Sequence, residues 1–449
     1  MSELQPLPKK RIHHARDGVH IFINPYGAQK LVTDDAGARV IELMDRAADG
    51  EALVDLISRE LGIHPYEAAT RLIAFSELLS ARRMSEWAPE GGGGIPQPNL
   101  GFLEVTRQCA TRCRLCYVDS GVDRPDTLAE REIFDVIDQM ADMGIAFVAL
   151  SGGDPLTRKD LVEILEYIAL EKKLTAGLST SLLTLTEPIA RRMKDLGVLV
   201  QVSLDGSKPE VNDWNRGEGS FERTMRGVEL LNRFGIPFRF ACVINRHNLG
   251  DLEEMVELSR KFGAQEITFG KIKMAGRAKG QENEACPTRE DLAAAYYSLY
   301  RTAIDMGRIG LTVSCKHNQA FHTGLQDRVG CLPCGAGRTF VQVSYNGDII
   351  PCSLLSGVGR FILGNVRTDR LKDVWENSPI LEFFRNTTVE DIAVCRNCTA
   401  KYFCGGGCRG DAFLSHGDLL GACSDCADLV FYYDTILDRG CNRKNMVAF

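Results

Sequence analysis

Six apolar runs punctuate the middle of the chain, at 100–105, 145–150, 175–180, 199–204, 238–244 and 266–270. Between them, over 127–143, 158–172, 187–196, 220–234 and 249–262, apolar residues recur at helical spacing. The short runs predict buried strands and the longer stretches amphipathic helices. Strands that alternate with helices build a parallel sheet, because each parallel pairing needs a long crossover. One more helix is expected near 289–306.

The first hundred residues are patterned differently. Residues 1–16 are polar, with two prolines and the basic run Lys9-Lys10-Arg11, and read as a loose arm. A short strand at 20–24 ends in the turn signal Asn24-Pro25-Tyr26-Gly27. A helix is expected from Thr33, taken as the N-cap, and a second over 51–61 with Leu53, Val54 and Ile57 inward and Gly62 as its stop. The third starts at Pro65 and runs to about 84, with Leu72, Phe75 and Leu79 inward. A strand hairpin followed by three short helices outlines a winged helix-turn-helix module. Residues 85–98, with four glycines and three prolines, cannot sustain a regular element and mark a linker.

Composition adds limits. At 449 residues the chain has room for two or three domains, and its 44% hydrophobic and 25% charged content is that of a globular protein. A net charge of −7 gives no support to nucleic acid or an anionic membrane as partner. Residues 1–88 carry eleven Lys and Arg against thirteen Asp and Glu, which argues against DNA binding by the winged outline. No apolar run reaches the roughly 20 residues needed to span a bilayer, and the N-terminus lacks the apolar core of a secretory signal. Sixteen cysteines without an export signal point to metal in a reducing compartment, hence a cytoplasmic metalloprotein.

The cysteines fall mainly in two fields. Directly after the first strand comes Cys109-Ala-Thr-Arg-Cys113-Arg-Leu-Cys116-Tyr117. Three soft thiolates on one loop can hold three corners of a [4Fe–4S] cube and leave the fourth iron open to a small chelating molecule. A zinc knuckle is the alternative, but no fourth Cys or His stands near; Cys242 and His247 lie in a different element. The trio, with its following aromatic Tyr117, resembles the cluster motif of the radical SAM enzymes. That resemblance implies a partial (β/α)6 TIM barrel, with S-adenosyl-L-methionine (SAM) held at the C-terminal ends of the strands. Ser151-Gly152-Gly153-Asp154-Pro155 resembles the element that takes the SAM amino group, with Asp154 where Glu is commoner. Ser179 and Thr180, then Ser203 and Asp205, end successive strands and could reach ribose oxygens or simply cap those ends. Arg216, in Trp214-Asn-Arg-Gly217, offers a bidentate fork for the SAM carboxylate or a partner for a nearby acid. That element and Gly276-Arg277-Ala278 resemble those of the superfamily's SPASM branch, and the second begins the exit from the barrel.

The second field runs Cys331-x2-Cys334, Gly347, Cys352, then Cys395-x2-Cys398-x5-Cys404-x3-Cys408 and a trailing Cys423 and Cys426. Asn346-Gly347 between apolar runs predicts a β-hairpin that brings Cys334 and Cys352 together. Gly405-Gly-Gly407 lets Cys404 and Cys408 point to different sites. This field resembles the SPASM extension, which implies two auxiliary [4Fe–4S] clusters and three in all. Cys334, Cys352 and Cys408, with Cys331 as fourth ligand, would hold one; without Cys331 that cluster keeps an open iron. Cys395, Cys398, Cys404 and Cys426 would hold the other, with Cys423 competing for the last place. Two zinc-ribbon sites are the alternative for these spacings alone. Cys242, Cys286, Cys315 and Cys441 are read as core or surface thiols.

The N-terminal segment is similar to the PqqD-like modules that bind the leaders of ribosomally made peptides, on Asn24-Pro-x-Gly27-Ala28 and the helix order. The implied domains are a peptide-recognition module over 1–88, a linker over 89–99, a radical SAM barrel over 100–310 and a SPASM domain over 311–449. The implied function is oxidative cross-linking of a precursor peptide, thioether or carbon–carbon, begun by a 5′-deoxyadenosyl radical. The leader would bind within 16–88, and an electron donor of flavodoxin or ferredoxin type is implied. Oxidation of a Cys or Ser in a full-sized protein, modification of a small molecule such as a porphyrin, and a non-enzymatic electron-transfer scaffold are the alternatives.

Overall fold

The computed structural model describes residues 12–16, 19–23, 30–81, 95–307, 312–315, 334–398, 401–424 and 426–427. The N-terminal unit is a three-stranded antiparallel sheet, β1 (Ile12–Arg16), β2 (Val19–Ile23) and β3 (Lys30–Thr33), followed by α1 (Asp35–Met44), α2 (Gly50–Leu61) and α3 (Pro65–Ala81). Its own core gathers Phe22, Leu31, Val40, Ile41, Leu53, Ile57, Leu72, Phe75 and Leu79. Three expectations are corrected here. Residues 12–16, read as the end of a loose arm, form β1 and pair with β2. A strand, β3, precedes the first helix, and the N-cap is Asp34, whose carboxylate accepts from the Gly37 amide at 2.8 Å. Thr33 is instead the last residue of β3 and is fully buried. The turn signal at 24–27 and most of the linker lie outside the described residues.

From Leu100 the strands are β4 (Leu100–Thr106), β5 (Phe147–Gly152), β6 (Thr175–Thr180), β7 (Leu199–Ser203), β8 (Phe238–Ile244) and β9 (Glu266–Lys271). Helices α4 (Glu130–Asp142), α5 (Leu161–Glu166), α6 (Glu187–Asp195), α7 (Pro209–Arg216), α8 (Ser220–Phe234) and α9 (Leu252–Lys261) connect them. The six expected strands pair in parallel and in order. Alternate residues Leu103, Val105, Val148, Leu150, Leu178, Val200, Val202, Phe240 and Phe269 meet Ile133, Val136, Ile137 and Met140 in one core. The opposite face carries the intervening residues, Glu104 among them. The stretch read as one helix over 158–172 is α5 followed by a π-turn, Tyr167–Glu171.

Two further strands lengthen the parallel sheet beyond the expected six. β10 (Thr312–Cys315), after the helix Arg289–Gly307, joins β9, and β11 (Phe340–Val343) joins β4. The hairpin partner of β11 is β12 (Asp348–Ile350), with β13 (Gly364–Asn365) beyond it. The expected Asn346-Gly347 turn is present: Gly347 has φ +87° and its amide donates to Ser344 O at 2.9 Å. Thus the C-terminal cysteine field hangs from the first barrel strand. Gln139 Oε1 accepts from the Leu371 amide (2.9 Å), and Trp375 Nε1 donates to Pro96 O (2.9 Å), so the described end of the linker is also fixed to this body. No helix among the described residues is long and apolar enough to cross a membrane.

Candidate iron–sulfur and cofactor site

The loop carrying Cys109, Cys113 and Cys116 leaves β4 and is tied down from two sides. On one side the Arg114 amide donates to Asn215 O (2.8 Å) and the Leu115 amide to Asn215 Oδ1 (2.9 Å). Thr111 Oγ1 donates to Arg216 O at 2.5 Å, so the C-terminal turn of α7 is the clamp. On the other side Arg277 Nε donates to Cys113 O (2.8 Å), its amide to Cys116 O (2.9 Å), and Nη1 to Ser120 O (2.6 Å) and Asp119 (2.7 Å). The three thiols are half-buried. Burial pushes the Cys109 thiol up to about 12 and raises Cys113 as well, the latter opposed by Arg216 and Arg277. A buried thiol becomes a thiolate only beside positive charge, and cluster iron supplies it. The backbone is thus preset and the donors are soft and undercharged, which fits an iron–sulfur cluster. No three described His, Cys, Asp or Glu side chains converge as they would around one ion.

The cradle beside this loop depends on two glycines. A Cβ on Gly152 (φ +122°) would stand 2.1 Å from Thr106 O, and one on Gly153 2.0 Å from Gln108 O. The Gly153 and Asp154 amides donate to those same carbonyls at 2.7 and 2.8 Å, so the end of β5 lies flush on the end of β4. The Asp154 carboxylate is buried and accepts from the amides of Leu156 and Ser181 and the hydroxyls of Thr180 and Ser181. Its role is to lock β5 to β6. Asp205 is likewise fully buried: Oδ1 accepts from the Val243 amide (2.8 Å), and Oδ2 accepts from Asn215 Nδ2 (2.6 Å). Arg216 Nε stands 2.8 Å from the same Oδ2. Of the two uses the sequence allows for Arg216, the acid partner is therefore present, buried rather than at the surface. Ser179 and Ser203 are half-buried at the ends of β6 and β7, and Ser179 Oγ is 3.4 Å from Gln201 Nε2. Tyr117 keeps 41% of its surface open, yet burial still pushes its hydroxyl up. The charges of Glu104, Cys116 and Cys352 act on the hydroxyl in the same direction.

In the second field, Cys408 lies close enough to Cys334 and Cys352 to disfavour their thiolates. Burial first and Cys408 next push Cys334 up to about 11 and Cys352 up to about 12. Cys395, pushed up to about 11 mainly by burial, has Cys398 and Cys426 as neighbours. A Cβ on Gly407 would lie 2.4 Å from Cys423 Sγ and 3.8 Å from Cys404 Sγ. Three successive glycines, Gly405, Gly406 and Gly407, take φ +63°, +86° and +71°, and this turn separates Cys404 from Cys408. Arg409, fully buried, donates to Leu419 O (3.0 Å), Gly421 O (2.9 Å) and Gly406 O, and raises the positive potential around Cys395. Cys331 and Cys441 lie outside the described residues; Cys242 is buried, and Cys286 is half-buried with its Sγ 4.0 Å from Met274 Sδ.

Sequence reasoning did not single out Asn215, Arg409 or Glu104, and it gave Arg277 only a place at the barrel's exit. A lone acid inside an apolar run was the available signal for Glu104. Nothing in the spacing signals the others.

Residues 103–259 match the Radical SAM superfamily model, and 334–399 match the SPASM iron–sulfur cluster-binding domain. Mycofactocin maturase MftC of Mycobacterium ulcerans is 31% identical over 340 residues, covering 74% of this chain and 89% of that one. The AdoMet-dependent heme synthase of Methanosarcina barkeri is 29% identical, covering 72% and 94%. Streptococcus suis SuiB, in a crystal structure bound to precursor peptide SuiA, superposes with a TM-score of 0.60 at 16% identity, over 94% of this chain and 99% of that one. A cluster loop clamped at the mouth of a parallel partial barrel, followed by a second thiol field, meets these matches at the same residues: the chain is an enzyme of the radical SAM superfamily, of the branch carrying a SPASM iron–sulfur domain.

Proposed function

We propose that this enzyme abstracts a hydrogen from a ribosomally made precursor peptide and installs an oxidative cross-link, thioether or carbon–carbon. The observation that carries it is the junction of the two cysteine fields. β11, whose hairpin leads to Cys352, pairs with β4, which leads into the Cys109 loop, so a substrate at the barrel mouth meets both a radical source and an electron acceptor. Cys109, Cys113 and Cys116 would hold the cluster that binds SAM, which would supply a 5′-deoxyadenosyl radical able to attack unactivated carbon. The chain's own work is positional. Arg277 and Asn215 fix the loop, Gly152 and Gly153 leave room for backbone approach, and Asp154 and Asp205 hold the strand ends in register. Ser179, Ser203 and Arg216 line the same mouth as candidate contacts for SAM.

Three [4Fe–4S] clusters fit the thiols. Cys334, Cys352 and Cys408 would hold the first auxiliary one, with Cys331 as fourth ligand, and Cys395, Cys398, Cys404 and Cys426 the second. The grouping of Cys426 with Cys395 favours it over Cys423. The leader would bind residues 16–88 as an added strand on the sheet of β1, β2 and β3, where backbone bonds supply affinity. An electron donor of flavodoxin or ferredoxin type would feed the clusters.

Likeness to a PqqA peptide cyclase of Rhizobium meliloti supports a peptide substrate, and likeness to a heme synthase keeps a porphyrin as the second reading. Co-expression with the small peptide encoded beside this chain's gene separates them. A mass loss of two hydrogens in the peptide supports the first, and an unchanged peptide beside an oxidised porphyrin supports the second.

A further inference from the structure

Glu104 has no part in the functions so far described, yet it occupies the junction on which they depend. It lies on the face of β4 opposite the core residues Leu103 and Val105, and it is 2% exposed. Its Oε1 is 3.3 Å from Gln342 Nε2 on β11, and its Oε2 is buried with no hydrogen-bond partner. Gln342 Nε2 also donates to Ser353 Oγ at 2.6 Å. A polar chain therefore runs Glu104, Gln342, Ser353, from the barrel strand to the residue that follows Cys352.

Three residues along, Arg107 shows the complementary defect. Its guanidinium lies over the Tyr345 ring at 4.3 Å, and its Nε is buried with no partner. A buried acceptor and a buried donor, both unanswered, are costly unless something answers them. Burial pushes Glu104 up to about 7, with the Arg107 charge, the Tyr345 amide and Gln342 drawing it back, as expected for an acid in an apolar strand. A ligand carrying both an N–H and a C=O would satisfy the pair.

We propose that Glu104 and Arg107 form a substrate-positioning site for a peptide amide: Glu104 Oε2 accepts its N–H and Arg107 Nε–H donates to its C=O. The site holds the segment to be modified, not the leader, between the two cysteine fields. It rests on the peptide reading above and specifies where in the barrel the reacting segment lies.

The test uses the anaerobically reconstituted full chain and the co-encoded precursor peptide. Hydrogen-exchange mass spectrometry of the wild type should show 102–108 and 340–346 protected when the peptide is added. Glu104→Gln, which turns the acceptor into a donor, should lose that protection and lower product per 5′-deoxyadenosine at least tenfold. Its peptide Kd, set by the leader, should stay within threefold. If Glu104→Gln fails to retain iron, Arg107→Lys must show the same uncoupling. Protection absent from these segments, or an unchanged product ratio in the variant that retains iron, overturns the proposal. A wild type that neither binds nor modifies the peptide overturns the peptide reading with it.

Discussion

A carboxyl group enclosed in an apolar strand prefers to be neutral, and Glu104 carries that preference into the stability of the fold. Burial raises it from the ordinary carboxylate range to about 7. The folded chain thus holds this proton more tightly than the unfolded chain. Its stability contribution is fully present below the unfolded value near pH 4.5, falls as pH rises toward 7, and is flat above. The full span is worth about 3 kcal/mol. Glu104→Gln removes the dependence, so unfolding curves of the two apoproteins should diverge in favour of the variant between pH 5 and pH 8; parallel curves would contradict the burial argument. Arg277 makes a different prediction. Arg277→Met removes the guanidinium bonds to Cys113 O, Ser120 O and Asp119, so iron after reconstitution should fall by roughly a third, one of the three clusters proposed above. At this scale the sequence was legible where chemistry needs a particular atom, as in the three thiols. It was not legible for Asp154 and Asp205, because a strand-end carboxylate looks the same whether it faces a ligand or, as here, three residues of its own chain.

Elements were easier to read than their joints. The strands at 175–180 and 238–244 and the helix at 220–234 stand where the apolar pattern puts them. The eight residues of α7, mostly polar, carry too little periodicity to announce a helix, yet that helix delivers Asn215 and Arg216 to the cluster loop. β11 reads as one arm of a local hairpin, and its pairing with β4, 240 residues away at Phe340 and Leu100, has no local signature. The joint of β4 with β5 gives the sharpest test. In Gly153→Ala the new Cβ meets backbone, which cannot swing aside. Formation of 5′-deoxyadenosine should fall at least tenfold while the thiols of the second field keep their iron; activity near wild type would show that this close approach is unnecessary.

On the scale of the whole molecule, three functions share one chain: a small sheet with three helices, a parallel barrel with its thiol loop, and a thiol-rich extension that grows from the first barrel strand. If the first unit only recruits substrate, deleting 1–88 should leave peptide-independent SAM cleavage within about threefold and abolish modification of the precursor; loss of both activities would make that unit part of the catalytic body. With SAM and a cluster held by Cys109, Cys113 and Cys116, the proposed reaction would move hydrogen from a peptide carbon to the 5′ position of the adenosyl group. Perdeuterated precursor peptide, the reconstituted enzyme, SAM and reductant, combined without oxygen, test this in one mass spectrum. The 5′-deoxyadenosine should carry one deuterium, matched by a cross-linked peptide. Unlabelled 5′-deoxyadenosine, or none, overturns the proposed reaction.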